Sequence, residues 1–253
     1  MPISSSTIVH FTHKKAALKG ILKTGFKIRY CYETIQIVDA KNIWAVPMVS
    51  FCDIPLSQVK DHVFKYGGYG IGLTKNWAKK KMLSPVQYIS RGSYFAQSIK
   101  VTGNHLLPSI RDSLDNSANL KSQERAAVDI LRYSKNYEGD LNRSSSKTVS
   151  DYRFYDEREW RFVPQFDKSY PMIVPISEAK KTKDYKDKLN EKIASVRLDF
   201  EPSDVKYIIV KDDKEISEFV STIKMESGKI YSHEDTERLI TRIITQQQIE
   251  DDF

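Results

Sequence analysis

The sequence predicts a mixed α+β fold in which helices are interleaved with the strands of a split sheet. Short apolar runs such as STIVHFT, VPMVSFC, YGIGLT and VKYIIV predict strands. Segments with apolar residues at helical spacing alternate with these runs, as at Ala17, Leu18, Ile21 and Leu22. We find neither an internal repeat nor a strong linker, and we therefore expect residues 1–253 to form a single domain.

The first half of the chain predicts these elements in a regular order. The strand STIVHFT precedes a helix over HKKAALKGILKTGF, and Gly25 stands where a left-handed residue would end that helix. The strand VPMVSFC precedes a helix over DIPLSQVKDHVFKYGG, and the strand YGIGLT precedes a short helix over KNWAKKKML. A further strand, PVQYIS, leads to a helical insertion expected at about residues 103–137, where SQERAAVDILRYSKNY has the clearest apolar side.

The second half begins with a polar segment, EGDLNRSSSKTVSDYRFYD, that lacks periodicity. It predicts a long loop, and such loops in compact domains are usually functional or disordered. Strands are then expected over YPMIVPI, VRLDF and VKYIIV, and helices over SEAKKTKDYKDKLNEKI and KEISEFVSTIKM. A capped C-terminal helix is expected at about residues 233–247, because its apolar residues recur with helical spacing.

The stretch DEREWRFVP places two carboxylates two positions apart at the start of an apolar run. As a strand it would send Glu157, Glu159 and Arg161 to one face. Trp160 and Phe162 would lie on the other face, which we expect to pack on the core while the acidic face lines a wet cleft. An ordinary exposed surface, on which Arg161 offsets Glu159, explains the same pattern.

Composition limits the possible function classes. The net charge of +7 and the pI near 9.1 favour acidic partners such as nucleic acid, although the scattered basic residues also suit solvated helix faces. The absence of a membrane-spanning run and of a signal peptide, together with only two cysteines, predicts a cytoplasmic protein. The histidines and cysteines match no zinc spacing, and the Walker and GxGxxG motifs are absent, so we expect neither a metal nor phosphate transfer.

Three blocks, in order along the chain, resemble the ADP-ribosyltransferase fold of PARP-like and DarT-like enzymes. They are VHFTHKKAALKGILKTGFKI, MVSFCDIPLSQVKDH and the strand that ERE opens. Over most of the chain, VSFCDIPLS, YGGYGIGLTKNWA, DEREWRFVP and RLITRIITQQQIEDDF are also similar to the AbiGi-type abortive-infection proteins of bacterial phage defence. The first resemblance implies an ADP-ribosyltransferase-like split sheet. The second implies a toxin–antitoxin setting in which another defence protein is the partner.

The enzyme resemblance implies roles for individual residues. Glu159 would stabilise the oxocarbenium-like charge formed when the bond between ribose and nicotinamide breaks, and Glu157 would orient or deprotonate the acceptor. His10 would bond the adenosine ribose and Thr12 would lie near the nicotinamide; a hydrogen-bonded strand histidine and a helix cap explain the same two residues. The other NAD-binding candidates are Ser50, Ser57, His62 and Tyr66. The candidates for binding an anionic target are Arg143, Lys147 and Arg153 in the polar segment.

Together the two resemblances imply a mono-ADP-ribosyltransferase toxin that uses NAD as its substrate. The basic charge favours RNA or DNA as the acceptor. A translation-related target or a protein arginine stays open, because paired glutamates recur in arginine-directed enzymes. The alternative is a catalytically inactive antitoxin or sensor module that keeps the fold in order to bind a partner. A nuclease is disfavoured, because the PD-ExK and His-Asn spacings are missing.

Overall fold

The computed structural model describes residues 5–37, 40–59, 66–143, 146–180, 182 and 184–252. Its strands are β1 (Thr7–Thr12), β2 (Phe26–Lys27), β3 (Arg29–Ile37), β4 (Ala40–Cys52), β5 (Tyr69–Thr74), β6 (Ser84–Pro85), β7 (Gln87–Ile89), β8 (Ser134–Asn136), β9 (Glu138–Arg143), β10 (Ser146–Arg153), β11 (Glu159–Phe162), β12 (Val174–Pro175), β13 (Arg197–Leu198), β14 (Val205–Val210) and β15 (Ile243–Thr245). Its α-helices are α1 (Lys15–Thr24), α2 (Lys75–Lys80), α3 (Tyr94–Asp112), α4 (Ser122–Arg132), α5 (Ile176–Ala179), α6 (Tyr185–Lys192), α7 (Ile216–Ser227), α8 (His233–Ile240) and α9 (Gln246–Asp252). The predicted α+β class is confirmed. Within these described ranges, none of the helices combines the length and the apolar composition that crossing a membrane requires.

The chain forms two compact units, each assembled from separate segments. The first unit comprises the described residues within 1–27, 50–83 and 197–253, and the second those within 28–49 and 84–196. Strand β4 therefore crosses from the second unit to the first near its end. The expectation that residues 1–253 form a single domain stays a prediction.

The first unit is built around β5, which has antiparallel neighbours on both edges. On one edge it pairs with β1, where Thr7 stands opposite Thr74, and on the other it pairs with β14. Strand β14 pairs in parallel with β15, and β1 meets the end of β4 where Val9 stands opposite Cys52. The strands predicted over STIVHFT, YGIGLT and VKYIIV are confirmed by these ladders.

Helix α1 ends where the sequence predicts. Its backbone continues to Gly25, which has φ +71° and whose N–H donates to the carbonyl of Ile21 at 2.9 Å. A Cβ atom on Gly25 would lie 2.8 Å from the carbonyl oxygen of Leu198. Positive φ and this close approach both favour glycine, so the predicted helix end is confirmed.

The second unit is built on the antiparallel hairpin of β3 and β4. The sequence predicted a strand within β4 but none at β3. Strand β12 pairs with β4, where Val174 stands opposite Ala45. Helices α3 and α4 contribute to a core that also contains Trp44, Val46 and Met48 of β4. The expected helical stretch is therefore present, but α3 begins earlier, at Tyr94, and α4 ends at Arg132.

Of the helix predicted over DIPLSQVKDHVFKYGG, the described residues include a 3₁₀ turn at Leu56–Gln58, and residues 60–65 lie outside the described part of the chain. Three further predicted elements differ from the structure. The polar segment predicted as a long loop forms the antiparallel hairpin of β9 and β10, in which Leu141 stands opposite Val149. The segment predicted as one helix over SEAKKTKDYKDKLNEKI contains two, α5 and α6. The C-terminal helix predicted at 233–247 ends at Ile240, because the next apolar residues, Ile243 and Ile244, pair with β14 as strand β15. A partner distant in the chain thus decided the last of these cases.

Candidate functional site: a buried ion cluster

The two acids of the ERE motif lie in different backbone environments. Strand β11 begins at Glu159, whereas Glu157 ends a 3₁₀ turn that precedes the strand. Arg158 separates them with φ +45°, in the left-handed region that non-glycine residues seldom adopt. The alternation of faces expected from Glu157 onward is therefore interrupted at Arg158.

The face of β11 that is buried is the opposite of the one predicted. Glu159 and Arg161 do share a face, as expected, but their exposed fractions are only 4% and 0%. Trp160 and Phe162 are half-buried on the other face. The expectation that the aromatic face packs on the core while the acidic face lines a wet cleft was wrong, because nearby cations neutralise the acids inside the unit.

Two cations neutralise the acidic side chains. Nζ of Lys135, on β8, lies 2.7 Å from Oε2 of Glu159 and 3.2 Å from Oε2 of Glu157. Arg161 donates from Nε to Oε1 of Glu159 at 2.8 Å and from Nη2 to Oε2 of Glu33 at 2.6 Å. We call Glu33, Lys135, Glu157, Glu159 and Arg161 the ion cluster.

Neighbouring strands hold the ion cluster in place. Strand β8 pairs in parallel with β7, which sets Tyr88 opposite Lys135. The Tyr88 hydroxyl accepts a hydrogen bond from the backbone N–H of Glu159 at 2.8 Å. The Asn136 side chain accepts from the backbone N–H of Gln36 and donates to its carbonyl, which joins β8 to β3. Three strands therefore position the charged atoms.

Burial and the neighbouring opposite charges shift the pKa values of the ion cluster in opposite directions. Burial raises the pKa of Glu33. Burial would also raise the pKa of Glu159, but the positive charges of Arg161 and Lys135 outweigh it and hold that pKa well below its usual range. Burial would lower the pKa of Lys135, but Glu159, Glu157 and Glu33 hold it well above its usual value. Glu159 and Lys135 are therefore ionised at neutral pH, and Glu159 is a weak base.

The predicted NAD-binding histidine lies in an aromatic cluster of the first unit. Nδ1 of His10 donates to the backbone carbonyl of Ser50 at 2.9 Å. The imidazole ring centroid lies 5.3 Å from that of Phe26 and 5.7 Å from that of Phe51. Burial lowers the pKa of His10, against the effect of the Ser50 hydrogen bond, so the ring is neutral at pH 7. These contacts fit a hydrogen-bonded strand histidine and do not by themselves single out an NAD site.

The other NAD-binding candidates are spread over the first unit. The Thr12 hydroxyl accepts from the backbone N–H of Lys14 at 3.4 Å, next to the start of α1. Ser57 is exposed in a 3₁₀ turn, and Tyr66 is half-buried. His62 lies outside the described residues. The structure therefore brings His10 and Ser50 together, while both predicted catalytic acids belong to the second unit.

The target-binding candidates lie on the β9–β10 hairpin. Arg143 ends β9 and Lys147 is near the start of β10, and their side chains lie outside the described part of the chain. Arg153 ends β10 with an exposed side chain, and its Nη1 lies 4.0 Å from Oδ1 of Asp156. A separation of that length between exposed groups contributes little to stability. Arg153 is thus placed to meet solvent or a partner.

A stack of three tyrosines adjoins the ion cluster, and we call Tyr88, Tyr137 and Tyr155 the tyrosine stack. The rings of Tyr137 and Tyr155 are stacked, with centroids 5.3 Å apart and an interplanar angle of 28°. Tyr88 meets Tyr155 edge-on at 5.2 Å. Tyr137 and Tyr155 are 36% and 47% exposed, although large aromatic rings are usually more deeply buried.

Sequence reasoning missed Glu33, Lys135 and the tyrosine stack. Glu33 lies in a strand that was not assigned, and Lys135 lies in a short strand predicted as helix. Neither residue belongs to a motif, because their role depends on pairing between distant strands. Within the described ranges, no group of three or more His, Cys, Asp or Glu side chains is arranged to bind a metal.

The fold and the ion cluster define an α+β protein in which the two acids at the start of β11 are neutralised by cations inside the second unit. A family model described as "abortive phage resistance protein AbiGi, antitoxin" matches residues 24–211, more than half of the 253-residue chain. The chain belongs to this AbiGi family. The resemblance to AbiGi-type proteins is therefore confirmed.

A curated relative supports the same family. The "Abortive phage resistance protein AbiGi" of Lactococcus lactis subsp. cremoris is 26% identical over 224 residues, which cover 83% of this chain and 90% of the relative. No solved structure matches the chain. The ADP-ribosyltransferase-like arrangement of the sheet stays a prediction.

Proposed function

We propose that this chain is a non-catalytic module of an abortive-infection system that binds a protein partner and acts as its antitoxin. The ion cluster carries the proposal. Glu159 is engaged by Lys135 at 2.7 Å and by Arg161 at 2.8 Å, and Glu157 is also within reach of Lys135. Because these cations lower its pKa, Glu159 is a weak base, and its charge is already neutralised by protein cations. The word antitoxin in the description of the matching family supports the same conclusion.

The tyrosine stack supports a binding role. Tyrosine and arginine are enriched among the residues that dominate protein interfaces, and stacked rings are rigid before a partner arrives. Tyr137 and Tyr155 are partly exposed, and Arg153 lies at the end of the neighbouring strand. We propose that these three side chains contact the partner. Nucleic acid as a target, which the charge of the chain favoured, stays a prediction.

The enzyme hypothesis is tested with the purified wild-type chain. We expect it to release no nicotinamide from NAD and to transfer no labelled ADP-ribose to protein, RNA or DNA in a bacterial extract. We also expect its expression alone to leave bacterial growth unchanged. Label transfer by the wild-type chain, lost in Glu159→Gln at equal folded concentration, would establish the ADP-ribosyltransferase reading and overturn this proposal.

The antitoxin role is tested in the native locus. Deleting the gene of this chain alone is expected to stop or slow growth, and a plasmid copy of the wild-type chain is expected to restore it. A copy carrying Tyr137→Ser and Tyr155→Ser is expected to restore growth poorly although it folds. Tyr94→Ser is the matched control, because Tyr94 is exposed on α3 and outside the stack. Normal growth after the deletion would contradict the antitoxin role.

A further inference from the structure

A pocket of about 150 Å³ opens in the second unit between β4, α3 and the start of α5. Its floor is apolar and contains the buried Trp44 and Pro175 and the half-buried Ile176. Its rim is polar and contains the exposed Lys41 and Arg111. It shares no lining residue with the ion cluster, so the roles proposed above do not account for it.

The charged side chains that line the pocket are positive. Two cationic side chains line it, and no Asp or Glu is among its lining residues in the described part of the chain. The carboxylate of Glu178 lies just outside, with Oε1 3.8 Å from Nε of Arg111. Charge-assisted hydrogen bonds between nitrogen and oxygen are shorter, about 2.7–2.9 Å. Arg111 is half-exposed, so its guanidinium can turn from Glu178 toward an anion at the rim.

The size of the pocket limits the apolar part of a ligand. A cavity of about 150 Å³ lined by apolar side chains holds a molecule such as benzene. The whole pocket therefore has room for one planar ring, and a larger polar group attached to that ring would extend past the rim into solvent. Pockets of this design use apolar walls for affinity and a few charged groups for orientation.

We infer that this pocket binds a small aromatic anion, with a planar ring against Trp44 and a phosphate or carboxylate group between Lys41 and Arg111. A mononucleotide and an aromatic carboxylic acid share this chemistry. This inference is independent of the proposed antitoxin role, because it rests on different residues.

The test measures binding to the full chain by calorimetry. AMP represents the mononucleotides, and benzoate represents the aromatic carboxylic acids. Adenosine, which lacks the anion, and inorganic phosphate, which lacks the ring, are the matched controls. We expect AMP or benzoate to bind at least about tenfold more tightly than either control, since both the ring and the charge contribute. The probe that binds more tightly shows whether the ligand is a mononucleotide or an aromatic carboxylic acid. If neither exceeds the controls, the inference is wrong.

Variants locate the binding. Lys41→Gln with Arg111→Gln is expected to weaken binding of the preferred probe at least about tenfold. Lys100→Gln, on the same helix as Arg111 but outside the pocket, is the control and is expected to leave the affinity unchanged. Gly103→Ala adds a methyl group whose nearest neighbour is Cζ2 of Trp44 at 3.9 Å, so it narrows the floor without a clash. It is expected to weaken binding without lowering the thermal unfolding temperature. Unchanged affinity in the double variant would place the ligand elsewhere and overturn the inference.

Discussion

Nζ of Lys135 lies 2.7 Å from Oε2 of Glu159 in the interior of the second unit. The two side chains come from strands that are separated in the chain by the β9–β10 hairpin, and each is almost fully enclosed. Removing two charges from water is costly, and the loss is recovered only when each charge keeps a well-placed partner. The stability of β11 therefore depends on β8, and Glu159 is part of the internal structure of the second unit.

Replacing Lys135 should destabilise the protein strongly. Lys135→Met leaves Glu157 and Glu159 without their shared cation, and breaking a buried pair from one side costs about 3–5 kcal/mol. The measurement is the free energy of unfolding in urea. Lys188→Met is the control, because its pair with Asp184 is exposed, and we expect it to leave stability unchanged within error. Equal stability of both variants would show that the cluster contributes nothing.

Lys135 and Glu159 should also show strong coupling. Glu159→Gln alone leaves Lys135 with a weaker partner, whereas Lys135→Met with Glu159→Gln removes both charges. The double variant is expected to be more stable than the sum of the two single effects, by about 0.5–3 kcal/mol. A double-mutant cycle in urea measures this coupling energy. Strict additivity would mean that the two charges do not interact in the folded state.

The cluster should make stability depend on pH in the acid range. The pKa of Glu159 is lower in the folded protein than its ordinary value of 4.5, so its contribution is present above that value. The contribution is lost as the pH falls below 4.5 toward the folded pKa, because the unfolded chain then binds the proton first. The raised pKa of Glu33, which is caused chiefly by burial and in part by the negative charge of Glu159, acts in the opposite direction, and Glu159→Gln reduces this opposing effect as well. Urea unfolding between pH 7 and pH 3 is expected to show a smaller loss of stability in Glu159→Gln than in wild type; equal losses would contradict the assignment.

Two glycines of the first unit should respond oppositely to alanine. Gly25→Ala forces a side chain to φ +71° and brings Cβ to 2.8 Å from the Leu198 carbonyl oxygen. We expect it to destabilise by about 1–2 kcal/mol or more. Gly20→Ala lies inside α1, with nothing within 4 Å of the added Cβ, and should stabilise by about 0.5–1 kcal/mol. Thermal unfolding of both variants, compared with wild type, checks the signs.

Local sequence pattern predicted most elements of the first unit. The strands over STIVHFT, YGIGLT and VKYIIV and the end of α1 at Gly25 each depend on neighbours within a few residues. Hydrophobic periodicity and glycine geometry act over that range, which explains the agreement. The tail was predicted less well, because Ile243 and Ile244 suit a helix by spacing but pair with a strand that lies more than thirty residues earlier.

The candidate site shows the limit of the same reasoning. Alternation along β11 correctly placed Glu159 and Arg161 on one face, but a period of two does not say which face is inside. The sequence by itself therefore determined the α+β class, most element positions and the pairing of acids with a basic residue. Only the tertiary structure decided that Glu33 and Lys135 complete a buried ion cluster, because charges are buried where partners from distant strands neutralise them.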